Sequence, residues 1–377
     1  MTASKQGQQG GVDSMSDAGT ETSTPNPEEA ILQVENFSKE YGDLTAVEDL
    51  SFTIRRGEFV TLLGPSGCGK STTLHSIAGL RTPTDGQIYL QDNDITTTSP
   101  SRRNIGMVFQ STALFPHMTA AENIAYGLKM HGYSGAEVDE RVNELLELVQ
   151  LPDHGDHKPS ELSGGQQQRI ALVRAMAYEP DLLLLDEPLT GLDRVLREEM
   201  RREIRRIHEK VNITTLYVTH DQEEALSLSD KIVILNDGVK QQIGTPEEVY
   251  QHPANEFVAN FVGKSTKFEG EVIDTSPLFV DTGFNRIRAG HATGKSVGEH
   301  VSVYIRPNDI NIATEEQGVP NELSVTIKDV TNLGSRAEAV VEQKEGTELL
   351  AEIERFPELS VGQTAFANFP PEQVIVI

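Results

Sequence analysis

The chain has 377 residues, 58 acidic and 32 basic, with a formal net charge of −26. The length suggests two domains, and 37% hydrophobic residues suffice for ordinary cores. The acidic balance argues against a nucleic-acid partner, which needs a basic stripe to displace counterions; because the acids are spread along the whole chain, it reads as a surface suited to high salt, where their repulsion is screened.

Residues 1–29 offer almost nothing to bury and read as a disordered tail without the apolar core of a signal peptide. Order begins at "ILQVENFSKEYG". The strand-like pieces "ILQVENF" and "VEDLSFTI" precede "GEFVTLLG", mostly apolar as a buried strand should be. After "GPSGCGKST", "TLHSIAGL" reads as a helix ending at or just beyond Gly79. Residues 111–165 read as a helical insert in which Val138, Val142, Leu145, Leu146 and Val149 share one face, a stripe for core packing. "DLLLLDEP" and "ITTLYVTH" are apolar runs of the kind found in a parallel sheet covered on both faces. "DKIVILNDG" and "KQQIGTP" predict a hairpin about Asn236, Asp237 and Gly238. Strands and helices alternate through residue 263, an α/β pattern. From Lys264 the texture changes to short β-prone pieces ("FEGEVID", "LFVDTG", "VSVYIRP", "LSVTIKDV", "AEAVVEQ", "LLAEI", "TAFANF"), which predict an all-β, barrel-like domain over 264–377. No apolar run is long enough to span a bilayer. The single cysteine, Cys68, fits a cytoplasmic setting.

"GPSGCGKST", from Gly64 through Pro65, Ser66, Gly67, Cys68, Gly69, Lys70 and Ser71 to Thr72, follows a predicted buried strand and opens a helix. That context makes it a P-loop, in which backbone N–H groups and the helix N-terminus cradle phosphates. Lys70 can reach the β- and γ-phosphates, Ser71 can ligate Mg²⁺, and Thr72 can contact the α-phosphate. Cys68 reads as a small loop residue, open to alkylation when no nucleotide covers it. Asp186 and Glu187 end a buried strand, where ligands of open α/β sheets bind. Adjacent strand residues point to opposite faces, which suits Asp186 to a Mg²⁺ contact and Glu187 to orienting the attacking water. His220 and Gln110 end two other strands and read as sensors of the γ-phosphate, with Gln110 also suited to a metal-bound water. These residues form an ATP hydrolysis set without a group to cap the γ-phosphate from outside. "LSGGQ" opens a second helix, so Ser163, Gly164 and Gly165 make another anion site. The economical reading is that it faces the nucleotide of another subunit.

In this order, the P-loop, Gln110, "LSGGQ" (162–166), "LLLLDE" (182–187), "GLD" ending at Asp193, and His220 resemble the ATP-binding cassette (ABC) ATPases over nearly the whole chain from Ile31. The resemblance implies a P-loop NTPase cassette with a helical subdomain, and a head-to-tail dimer sandwiching two ATPs. In that dimer Ser163, Gly164, Gly165, Gln166 and Asp193 serve the partner's nucleotide, and Tyr41 stacks on adenine. "VFQSTALFPHMTAAENIAYGL", "VTHDQEEALSLSDKIVILNDG" and "VYIRPNDI" are similar to the importer ATPases with a C-terminal OB-like, TOBE-type β domain, such as those for polyamines, ferric iron, sulfate and maltose-type sugars. That implies a peripheral protein on the cytoplasmic face of the membrane, serving a solute-binding protein indirectly. Its permease subunits would dock in a groove near Phe109, Gln110, Phe115 and "FPHMTAAENI". Polyamine or ferric iron is the expected cargo, with sugars or oxyanions as the alternative. A mild departure is Thr190-Gly191, where the group often has Ser-Ala. A soluble ABC ATPase acting on ribosomes or DNA would show duplicated cassettes, a coiled-coil insertion or basic surfaces, and the sequence has none of these.

Overall fold

A computed structural model describes residues 30–290, 294–353 and 359–377; the expected tail, 1–29, lies outside them. In chain order the first part comprises β1 (Ala30–Tyr41), β2 (Leu44–Arg55), β3 (Phe59–Leu63), α1 (Lys70–Ile77), β4 (Asp85–Leu90), β5 (Asn93–Asp94), β6 (Ile105–Val108), α2 (Ala120–Met130), α3 (Gly135–Leu148) and α4 (Gly164–Met176). It continues with β7 (Leu182–Asp186), α5 (Arg194–Val211), β8 (Thr215–Thr219), α6 (Gln222–Leu228), β9 (Lys231–Asn236), β10 (Val239–Gly244), α7 (Pro246–Gln251) and α8 (Glu256–Phe261).

These strands make two sheets, a four-stranded one ordered β2-β1-β4-β5 and a six-stranded one ordered β10-β9-β3-β8-β7-β6. The apolar runs of the sequence become the centre of the second: every residue of β3, β7 and β8 is buried. Parallel pairing sets Leu63 beside Thr219, Asp186 beside Val218 and Val108 beside Leu185. The carboxyl ends of β3, β6, β7 and β8 therefore share one edge, where an open parallel sheet binds its ligand. The predicted hairpin forms between β9 and β10, with positive φ at Asp237 and Gly238 as a tight two-residue turn requires.

Between β6 and β7 the chain is helical. Thr119 and Glu122 form a reciprocal cap that starts α2. The stripe Val138, Val142, Leu145, Leu146 and Val149 is buried, packed in one core with Ile124, Leu128 and Ile170.

The second part is β throughout: β11 (Thr266–Thr275), β12 (Leu278–Asp281), β13 (Arg286–Ala289), β14 (His300–Ile305), β15 (Asn311–Ala313), β16 (Leu323–Asn332), β17 (Ala337–Gln343), β18 (Glu348–Ile353), β19 (Thr364–Asn368) and β20 (Ile375–Val376). They form two five-stranded antiparallel sheets, ordered β13-β12-β11-β14-β20 and β15-β19-β16-β17-β18, over one shared core. The short strands β13, β15 and β20 are additions to the pieces legible in the sequence. Arg306, next after β14, ties this part to the first: its guanidinium donates to Ala259 O, Gly263 O, Ser265 Oγ and Tyr250 O.

Candidate active site

The phosphate loop leaves the buried end of β3. A side chain at Gly64 would meet Leu235 O at 2.2 Å. Gly69 has φ +104°, and a side chain there would meet Ala46 O at 2.6 Å. Both positions need glycine, for close approach in one case and for backbone conformation in the other. The same contact sets Ala46 and Val47 of β2 against the loop. Tyr41 is 39% exposed, and its ring sits 5.1 Å from Lys39 Nζ and 5.4 Å from the Arg81 guanidinium. Both are cation–π contacts on a partly exposed ring.

Helix α1 begins inside the motif, at Lys70. Lys70 is 4% exposed, and its ammonium donates to Gly64 O at 2.7 Å and Pro65 O at 2.8 Å. Ser71 Oγ donates to Asp186 Oδ1 at 3.2 Å, which joins the loop to the end of β7. One turn along α1, His75 Nε2 lies 3.2 Å from Asp186 Oδ2. Sequence reasoning missed His75. The available signal was its spacing, four residues after Ser71 and so on the same helix face.

Cys68 corrects an expectation. It is 2% exposed, packed under the loop, and burial pushes its thiol pKa up, with Lys70 opposing. A buried, protonated thiol is a poor target for alkylation.

Asp186 is the last residue of β7. Glu187 has left the strand, with φ +44°. The two carboxylates do diverge, but through this left-handed residue rather than through strand pleating. Glu187 lies 3.2 Å from His220 Nδ1 and accepts from Thr190 Oγ1 at 3.2 Å. Thr190 thus puts a hydroxyl on the acid, which a serine at this position also carries. Gln110, exposed two residues beyond β6, stands at the same sheet edge.

The "LSGGQ" stretch is built separately. Ser163 caps α4: its Oγ accepts from Gln166 N, and its own N–H donates to Gln166 Oε1 at 2.8 Å. Gly165 packs directly on Leu196: a side chain there would meet Leu196 Cδ1 at 2.6 Å and push that side chain aside. Leu196 N in turn donates to Asp193 Oδ1 at 3.0 Å, capping α5. Ser163, Gly164, Gly165, Gln166 and Asp193 therefore form one unit of two capped helix starts. Among the described residues, no hydrogen bond joins that unit to the phosphate loop.

A glycine loop on a buried parallel strand, its lysine folded back on the loop carbonyls and its serine set against a strand-end aspartate, with a second capped helix start elsewhere, defines a P-loop ATPase of the cassette type. The chain belongs to the ABC transporter family, whose profile matches residues 47–190, and it carries a TOBE domain matched over residues 303–377. It is 44% identical over 330 residues to the sulfate/thiosulfate import ATP-binding protein of Thermosynechococcus vestitus, covering 87% of this chain and 92% of that one. It is 44% identical over 329 residues to the spermidine/putrescine import ATP-binding protein of Marinobacter nauticus, covering 86% and 87%. The Fe(3+) ions import ATP-binding protein of Fusobacterium nucleatum is 44% identical over 281 residues, covering 74% and 75%. Among solved structures, a dimeric ATP-binding cassette in a post-hydrolysis state with ADP and phosphate matches at TM-score 0.51 and 34% identity, over 57% of this chain and 98% of that one. The chain is accordingly an ATPase, an ATP-binding subunit of the importer type.

Proposed function

We propose that this chain hydrolyses ATP as one half of a head-to-tail homodimer and so drives solute uptake through permease subunits at the cytoplasmic face of the membrane. The observation that carries the catalytic part is the divergence at the end of β7: Asp186 turns to Ser71, and Glu187 turns to His220 and Thr190. Asp186 and Ser71 offer oxygen donors only, the set a hard divalent cation takes. Among the described residues no three His, Cys, Asp or Glu side chains gather to hold an ion alone, so Ser71, Asp186 and Gln110 would hold Mg²⁺ together with phosphate oxygens. Bound there, Mg²⁺ supplies charge neutralisation at the β- and γ-phosphates.

The chain's own residues do the rest. The loop N–H groups from Gly64 to Thr72, with Lys70, orient the triphosphate, and Tyr41 stacks on the adenine. Glu187 accepts a hydrogen bond from the attacking water and polarises it. His220 holds Glu187 in place and senses the γ-phosphate, as does Gln110. Ser163 to Gln166 and Asp193 close the partner's site. The dimeric relative with ADP and phosphate supports this arrangement. Phe109 and Tyr126 are exposed aromatics beside the helical segment, Phe115 packs on Tyr126 at 4.8 Å, and together they suit the permease groove.

The test is Glu187→Gln. Hydrolysis should fall by a factor of about 10² or more while ATP still binds and drives dimerisation. Turnover at the ordinary rate would refute Glu187 as the base. For the cargo we propose a polyamine or ferric iron, from the spermidine/putrescine and Fe(3+) relatives; a sulfate/thiosulfate relative at 44% identity keeps the oxyanion reading in play. Uptake of labelled putrescine, ferric iron and sulfate by a deletion strain separates them.

A further inference from the structure

Behind His220 lies a buried acid that the mechanism above does not use. Glu224, on α6, is 5% exposed, and among the described residues it has no ion-pair partner. Its Oε2 accepts from Tyr217 Oη at 2.7 Å and from Thr219 Oγ1 at 2.6 Å. Thr219 Oγ1 in turn accepts from Asp221 N at 3.0 Å. A hydroxyl has one proton to give. Giving it to Glu224 aims the hydroxyl's lone pairs elsewhere, and one of them takes the Asp221 N–H. Thr219 and Asp221 flank His220, so one hydroxyl braces the chain on both sides of the histidine. Asp221 completes the frame by accepting from Glu223 N and Glu224 N at the start of α6. The imidazole itself reaches outward, to Glu187 at 3.2 Å. Burial opposes the charge on Glu224 and pushes its pKa up, while the two hydroxyl bonds oppose that shift. An apolar residue at 224 would avoid this desolvation. What the carboxylate contributes instead is a fixed acceptor for two hydroxyls.

We propose that Glu224 is a positioning residue of the ATPase: through Thr219 it holds the backbone about His220, and so keeps the imidazole against Glu187. The proposal rests on the roles given above to Glu187 and His220. It is tested with the full-length protein, by steady-state ATPase and fluorescent-ATP binding, on Glu224→Ala, Glu224→Gln, Thr219→Val and Tyr217→Phe. Glu224→Ala and Thr219→Val lower kcat about tenfold or more, with KM and ATP binding within about twofold. Glu224→Gln keeps an oxygen that accepts both hydroxyls and recovers kcat to within about threefold of the original protein. Tyr217→Phe, which removes the bond that does not lead to His220, stays within about twofold. Thr219→Val is nearly isosteric, so it carries the test even if Glu224→Ala folds poorly. Each variant is repeated on a His220→Ala background, read by single-turnover phosphate release. There Glu224→Ala should change the residual rate less than about twofold, because it acts through a side chain already removed. An equal loss on both backgrounds, or full activity in Glu224→Ala and Thr219→Val, overturns the proposal. Normal turnover in His220→Ala would bring down the site reading and the proposal together. An inactive His220→Ala beside a fully active Glu224→Ala brings down the proposal alone.

Discussion

Replacing Arg306 with methionine should loosen the join between the cassette and the TOBE domain. Arg306 is 1% exposed, and its guanidinium gives three bonds from Nη1, to Ala259 O at 2.8 Å, Gly263 O at 2.8 Å and Ser265 Oγ at 2.7 Å, and a fourth from Nη2 to Tyr250 O at 3.1 Å. It also lies 4.5 Å from the Tyr250 ring. Burial lowers its pKa, but an arginine stays charged in proteins. Nη1 has two N–H groups, so its three acceptors share them and the contacts amount to three full bonds. Methionine keeps most of the apolar stem and removes these donors. At a net value of about 1 kcal/mol per bond the loss is about 3 kcal/mol. Releasing a guanidinium from burial returns part of this, so the net loss should be about 2 kcal/mol. For a unit the size of the β domain that lowers its melting temperature by about 8 °C. Scanning calorimetry, with limited proteolysis between α7 and β11, reads the effect. The β-domain transition should fall, the segment should become cleavable, and ATP binding at the phosphate loop should hold within about twofold. A shift of less than about 2 °C would refute the reasoning, since it would mean that the four acceptors are as well served without the cation.

Ser163→Arg should stop turnover without weakening ATP binding to the monomer, because among the described residues Ser163 belongs to a unit with no hydrogen bond to its own chain's phosphate loop; equal loss of monomer binding would sink the reading in trans. Cys68 should resist thiol reagents in the folded protein and react fully on denaturation, because the thiol is buried and its pKa raised. The sign follows: a raised pKa stabilises the fold below the ordinary thiol pKa, and that contribution is lost as pH rises toward the folded value. Fast labelling of the native protein at neutral pH would contradict it. The net charge of −26 predicts that thermal stability rises from about 0.1 M to about 2 M KCl, where the Debye length shrinks from about 10 Å to under 3 Å. A flat or falling melting temperature would remove the high-salt reading.

Much of this protein is written locally. The phosphate loop is legible because two glycines, a lysine and a serine stand in a fixed run after an apolar strand, and backbone chemistry there depends on neighbours in sequence. The apolar runs of β3, β7 and β8 declare a covered parallel sheet, and the hairpin at Asp237-Gly238 declares its turn. The "LSGGQ" cap follows from Ser163 and Gln166, three residues apart. What the sequence could not determine is which distant groups meet. Ser71 and His75 against Asp186, and His220 against Glu187, depend on parallel strands ending at one edge with helices packed behind them. The burial of Cys68, and the seating of Gly165 on Leu196, likewise come from packing across the fold. Local spacing names the atoms that can do the chemistry. Only the tertiary structure decides which of them are held, and by what, because hydrogen bonds and exclusion of water act over a few ångströms of space regardless of distance along the chain.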